Sequence, residues 1–462
     1  MSRGSTEVGD PPNAPPQEAT GPAPRVSPGP SPGTRRASLW HNRDFVQFWS
    51  GETLSLYGTQ ITILALPLTA VLVFHAGARE LGLLRFLELL PYPAFSLLFG
   101  VWVDRSRRRP LMLGANFVRM ILLALVPILA AAGQLNLVSL MVITFAVGVA
   151  SVLFDVSWMS YVPTLIQDQR HLVEANTKLG ISASSADVAG PGLAGVIVGI
   201  LTAPVALALD SFSYLVSLVS LLLIRVPEPQ PPAPAEQRRV GKELVEGLRW
   251  VFGHRYLRPV AFVGFFCNFF LMFVSSMFLL YAVRDRALSP STLGLILSMG
   301  AAGGLLGSLI AGPIVRRGRL GRTYRLSMAA VFLGPALIPA ASGSKPVVEA
   351  MFIASFFVSY SGLSVANVVI VSLRQAVTPP SLMGRMNAGM RMMLFGGGAL
   401  GSLTGGVLGD AIGLRGALAV AAVGSAVMVV PTALSPVARL LGLPVPVDVE
   451  PEPAAVADGS TA

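Results

Sequence analysis

The stretch GVWVDRSRRRP, residues 100–110, sets four arginines and one aspartate between long apolar runs on both sides. Its reading turns on what those runs are. Apolar runs of roughly 18 residues or more with few charges can cross a bilayer, and this chain has many of them. Of its 462 residues, 53% are hydrophobic and 13% charged, about half the charged share of an ordinary soluble domain. Lipid is the expected solvent. The formal net charge of +10 invites a nucleic-acid reading, but the basic residues fall in short segments between apolar spans, as topology-fixing residues of membrane proteins do. Cys267 is the single cysteine, which excludes an intramolecular disulfide and a thiolate metal cluster.

Working outward, the apolar spans number twelve: roughly 44–75, 80–103, 110–132, 136–162, 172–201 and 204–225, then 259–283, 291–315, 323–341, 347–373, 383–411 and 416–441. All are expected to be helices, because backbone groups in lipid must pair within their own segment. Residues 1–38 are rich in Pro, Gly and Ser and read as a disordered cytosolic leader; 442–462 read as a disordered tail. The expected domains are a first bundle at 39–225, a cytosolic linker at 226–257 and a second bundle at 258–441. Within the linker, Leu244, Leu248, Val251 and Phe252 share one helical face, which suggests an amphipathic helix on the inner leaflet. Of the 34 Lys and Arg residues, 27 fall on the side of this linker, five on the other side, and Arg85 and Arg119 within spans. That asymmetry puts both termini in the cytosol and the chain in the cell membrane.

The halves repeat. LGLL at 81–84 returns as LGLI at 293–296, and Gly100, Asp104 and Arg105 return as Gly312, Arg316 and Arg317, all displaced by 212 residues. Asn176 returns as Asn387. Two six-helix halves of like topology mark a class of secondary transporters with substrate held between the halves. The opening stretch now lies between the second and third spans and fits G-x-x-x-D-R-x-x-R-R through Gly100, Asp104, Arg105, Arg108 and Arg109. In pattern and place it resembles the signature loop of the major facilitator superfamily. The resemblance implies an all-α membrane protein of twelve transmembrane helices in two pseudo-symmetric bundles, with Asp104 as a latch between halves on the inner side. SYVPTLIQDQRHLVEANTKLGISASSADVAGPGLAG, 160–195, is similar to the macrolide-efflux and enterobactin-exporter branch. Gly190, Pro191 and Gly195 partly match the fifth-helix antiporter motif of drug exporters, with Ala194 in place of a glycine.

Charge within a span is costly enough to suggest function. Glu52, Arg119 and Asp155 lie about 12–15 Å from the cytoplasmic ends of their helices by helical rise, and Asp187 nearer mid-depth. Arg119 is expected to pair with Asp155 or Glu52, and one of Glu52, Asp155 and Asp187 to carry a proton. Arg85 and Glu88, three apart, read as a local ion pair. In the second half, Asn268, Asn367, Arg391 and Phe269 are the cavity candidates, suited to an amphipathic molecule. The sequence reads as a proton-driven exporter of a small amphipathic compound such as a drug, antibiotic or siderophore-like molecule. A proton-coupled importer or symporter and a lipid flippase are the alternatives. Expected partners are substrate, protons and membrane lipid, without cofactor, metal or nucleic acid, the chain acting as a monomer. The phosphate-loop, H-E-x-x-H and G-x-S-x-G motifs are absent, which leaves no support for an enzyme.

Overall fold

The computed structural model describes residue 4 and residues 39–166, 169–226, 228, 240–317 and 319–444. The expected leader (Gly4 apart), the tail from 445 onward and most of the proline-rich linker lie outside the described residues. The first half comprises α1 (Arg43–Val73), α2 (Ala78–Asp104), α3 (Arg108–Ala131), α4 (Leu137–Leu165), α5 (Gln169–Leu201) and α6 (Ala203–Leu223). After the linker helix α7 (Val240–Gly253) come α8 (Leu257–Arg284), α9 (Pro290–Arg317), α10 (Leu320–Leu333), α11 (Lys345–Val377), α12 (Pro380–Ile412) and α13 (Leu414–Leu434).

Local chemistry starts these helices where the spans begin. The Asn42 side chain accepts from Phe45 N at 3.1 Å, and Asn136 accepts from Ser139 N at 2.8 Å while donating its own N–H to Ser139 Oγ, closing a capping box. Two tight turns echo the repeat. Thr202 before α6 has φ +82°, and Gly413 before α13, 211 residues later, has φ +79°. Thr202 holds the left-handed region without a glycine's freedom, at a steric cost that a two-helix corner imposes.

Among the described residues, 11 helices are long and apolar enough to cross a membrane. The remaining expected span is broken. After α10 the chain passes through a 3-10 turn at Gly334–Ala336 and a helical piece at Leu337–Ala340, because Pro335 supplies no N–H and cannot continue the ladder. Ser355 Oγ of α11 donates to Gly334 O at 2.9 Å, so a protein partner serves a backbone group that lipid could not.

Pairings in the first half have counterparts in the second: α1 packs on α5 as α8 does on α12, α3 on α4 as α10 does on α11, and α2 on α4 as α9 does on α11. The halves join along two related seams, α5 against α9 and α2 against α12. Large apolar side chains remain exposed on the outside, among them Ile200, Val138 and Leu309, as lipid-facing surfaces require. The linker helix α7 turns part of its apolar face to protein: Val251 is fully buried, a Cβ on Gly247 would sit 2.3 Å from Arg385 O of α12, and Arg385 pairs with Glu246 at 2.8 Å. Val245 and Phe252 stay exposed.

Candidate functional site

The basic turn between α2 and α3 is built against the exit of α6. Asp104 ends α2 at an exposed position, followed by Arg105. A Cβ on Gly100 would meet nothing within 4 Å, so the close helix approach expected of this glycine is not made here. Arg109 Nε donates to Leu221 O at 2.9 Å and its Nη2 to Leu222 O at 3.0 Å, capping carbonyls at the end of α6. Sequence reasoning missed the other anchor. Glu228, in the short loop after α6, accepts Arg108 N at 2.5 Å and Arg109 N at 3.1 Å. A carboxylate thus stands at the N-terminus of α3, where free N–H groups and the helix dipole favour negative charge. Glu228→Ala should destabilise the protein by about 1 kcal/mol, as loss of an N-terminal cap does. Thermal unfolding in detergent will show a midpoint lower by a few degrees; an unchanged midpoint contradicts the anchoring role.

At the opposite end the halves are sealed by small residues. A Cβ on Gly195 of α5 would lie 2.4 Å from Pro290 O and 3.0 Å from Gly294 Cα of α9; one on Gly294 would lie 2.3 Å from Pro191 O. One turn deeper, Gly192 N donates to Ser298 Oγ at 2.8 Å. Gly190 instead faces Gln60 of α1 in its own half. On the related seam Gly82 of α2 meets Ser402 O and Gly406 of α12, and Arg284 donates to His75 O across the halves. Among the described residues, the close glycine contacts between halves all lie toward this end. The structure is therefore one in which the halves close away from the basic turns.

Polar groups gather at mid-depth. Among the described residues, three hydrogen bonds run between α1 and α5: Thr53–Ser182 at 2.9 Å, Tyr57–Ser185 at 3.2 Å and Gln60 Nε2–Asp187 Oδ1 at 2.8 Å. Asp187 is exposed despite its depth. Arg85 bridges to Glu88 at 2.8 Å and donates to Ile63 O.

Asp155 accepts the Tyr92 hydroxyl at 2.9 Å, and the Tyr92 ring stacks on Phe395 of α12 with centroids 4.2 Å apart and planes within 7°. Arg391, one turn before Phe395, contacts Met159 Sδ of α4 at 3.5 Å, and its charge acts on Asp155. This chain of contacts joins an acid of the first half to the second.

Arg119 corrects the expected pairing. Its guanidinium lies between two rings, 4.2 Å from the Phe154 centroid and 4.3 Å from that of Tyr214, and donates to Asn116 Oδ1. It makes no ion pair with Asp155 or Glu52 among the described residues, although its charge acts on both. Phe154 and Asp155 are neighbours on α4, about 100° apart around the helix; when Phe154 faces Arg119, Asp155 turns to α2. Glu52 is buried and makes no hydrogen bond among the described residues. Asp210 is fully buried, bound by Thr62 and, at 2.8 Å, by Ser213. In the second half, Asn268 donates to Gly264 O of its own helix at 3.1 Å, Asn367 is exposed, and Phe269 sits edge-on to Phe270 and Phe273.

Paired bundles, a charged turn and mid-depth polar groups are what comparison with known proteins must explain. The profile of the Major Facilitator Superfamily matches residues 48–344 and 261–458. The chain belongs to the major facilitator superfamily. As a member it is a multi-pass membrane transporter, with a small molecule as its substrate. It is 26% identical to the multidrug efflux pump Tap of Mycolicibacterium fortuitum, over 78% of this chain and 87% of that protein. It is 22% identical to macrolide efflux protein A of Streptococcus pyogenes, over 58% of this chain and 66% of that one. In fold it resembles the nucleoside transporter NupG, with a TM-score of 0.68 at 12% identity over 84% of this chain and 98% of that chain. It likewise resembles a bacterial homologue of the human lysosomal transporter Spinster in an inward-facing, unoccupied conformation, with a TM-score of 0.65 at 13% identity over 87% and 97%. Such identities carry the superfamily fold and no substrate.

Proposed function

We propose that this protein exports a small amphipathic compound, of the drug or macrolide class, from the cytosol in exchange for protons. The basic turns face the cytosol, as the distribution of Lys and Arg favours, so the sealed end faces outward and substrate enters from inside. The efflux activities named for the Tap and macrolide relatives support the direction and the class.

The observation that carries the coupling is the link from Asp155 through Tyr92 to Phe395. Of the three acids considered for the proton, Asp155 is the one whose hydrogen-bond partner touches the other half. Ionised, it holds Tyr92 by a charge-assisted hydrogen bond and attracts Arg391 across the interface. Protonated, it loses that attraction, and the balance between inward-open and outward-open arrangements shifts by the energy lost. A proton released to the cytosol in this arrangement and taken up in the other would exchange against substrate. Asp104 would latch the halves on the cytosolic side in the outward-open arrangement.

Acid-loaded everted vesicles test the reading. Addition of a macrolide or a fluorescent amphipathic cation should draw protons out of the lumen only when the protein is present. Substrate and proton moving in the same direction would instead make it a symporter and overturn the proposal.

A further inference from the structure

On the outer flank of the second half, well away from the seams, α9 and α10 both pack on α11 yet barely touch one another. The cause is visible in the glycines. Gly303 and Gly307 bring α9 onto α11 at Phe357 and Ser361, while Gly362 of α11 brings α10 in at Ser327 O and Ala330. Two helices drawn to different faces of a third leave a wedge between them. The wedge is a groove of about 670 Å³, with Phe357 and Val358 on its floor, Leu326 and Ala330 along one wall, and Arg319 and Arg322 at its basic end.

Three features give this groove a chemistry. Leu326 is 61% exposed, so the groove opens toward lipid along its length. Neither the Arg319 nor the Arg322 guanidinium has a hydrogen-bond or ion-pair partner among the described residues, and no Asp or Glu occurs between Asp285 and Glu349. The positive end of α10, which starts at Leu320, also lies at this mouth. An apolar trough in the hydrocarbon region ending at guanidinium groups without an acidic partner among the described residues is complementary to one molecule class. We infer that the groove between α9 and α10 binds an anionic phospholipid from the leaflet at the basic end, its phosphate on Arg319 and Arg322 and an acyl chain along Leu326, Ala330 and Phe357. The site is separate from the transport path and stands whether or not export is the direction of transport.

Native mass spectrometry of the purified full chain, titrated with dioleoyl phosphatidylglycerol or dioleoyl phosphatidylcholine, tests it. The unaltered chain should retain one phosphatidylglycerol and release phosphatidylcholine. The double variant R319Q/R322Q should bind phosphatidylglycerol on the order of 30-fold more weakly, since each basic residue near a headgroup contributes about fivefold. Arg325→Gln, which removes the same charge from an exposed position outside the groove, should bind as the unaltered chain does. Ala330→Phe, which fills the trough and keeps both arginines, should also lose the lipid. Equal retention of the two lipids, equal loss in R325Q, or full retention in both groove variants would each overturn the inference.

Discussion

Asp155→Asn will uncouple transport. In acid-loaded everted vesicles the unaltered chain should concentrate substrate about tenfold for each unit of pH gradient, the yield of one proton exchanged per electroneutral cycle. The asparagine variant should stop at equal concentrations on both sides while still equilibrating substrate. The reason is specific to the geometry. Asparagine can still accept the Tyr92 hydroxyl, so the stack on Phe395 survives, but no charge remains for Arg391 to sense. Tyr92→Phe, which keeps the ring and deletes the hydroxyl, should retain part of the gradient. Glu52→Gln and Asp187→Asn should retain most of it, because neither has a hydrogen bond that leads to the second half: Glu52 is buried without one among the described residues and Asp187 is held by Gln60 of α1. A gradient in Asp155→Asn equal to that of the unaltered chain would move the coupling role to another acid.

Much of the fold was legible because lipid imposes one rule on every span. Length and hydropathy found the spans, and the GxxxDR pattern, echoed 212 residues later as GxxxRR, found the repeat, which the matching corners at Thr202 and Gly413 bear out. Hydropathy could not see the break at Pro335, since proline within GPALIPA leaves the run apolar while ending its hydrogen-bond ladder. It also revealed the apolar stripe of α7 but not its cover, because a stripe facing lipid and a stripe facing α12 have the same composition.

The site was less legible, for a related reason. Arg119 called for a carboxylate by charge arithmetic, yet two aromatic rings and Asn116 hold it. Which neighbour on α4 reaches it is decided by the rotation of that helix, and a rotation is set by packing rather than by composition. Tyr92 left a faint signal, an aromatic hydroxyl between two prolines in the middle of a span. Glu228 left none beyond being an acid in the loop that follows a helix.

The seam between α5 and α9 carries the second large effect. The proposed cycle requires the halves to part where Gly192 and Gly195 now meet Ser298 and Gly294. Interfaces of this density are open or shut rather than gradually deformed. A Cβ on Gly192 would lie 3.9 Å from Ser298 Cβ, within the separation of about 3.5–4.5 Å that a disulfide spans. With the single native cysteine replaced, as Cys267→Ser, the pair Gly192→Cys and Ser298→Cys can be crosslinked without other thiols interfering.

Transport by that variant, measured before oxidation, after oxidation and after reduction in the same vesicles, tests most directly whether the two bundles must separate here. The expected result is activity when reduced, loss of at least about tenfold when crosslinked, and recovery on reduction. Undiminished transport with the crosslink quantitatively formed would contradict the account.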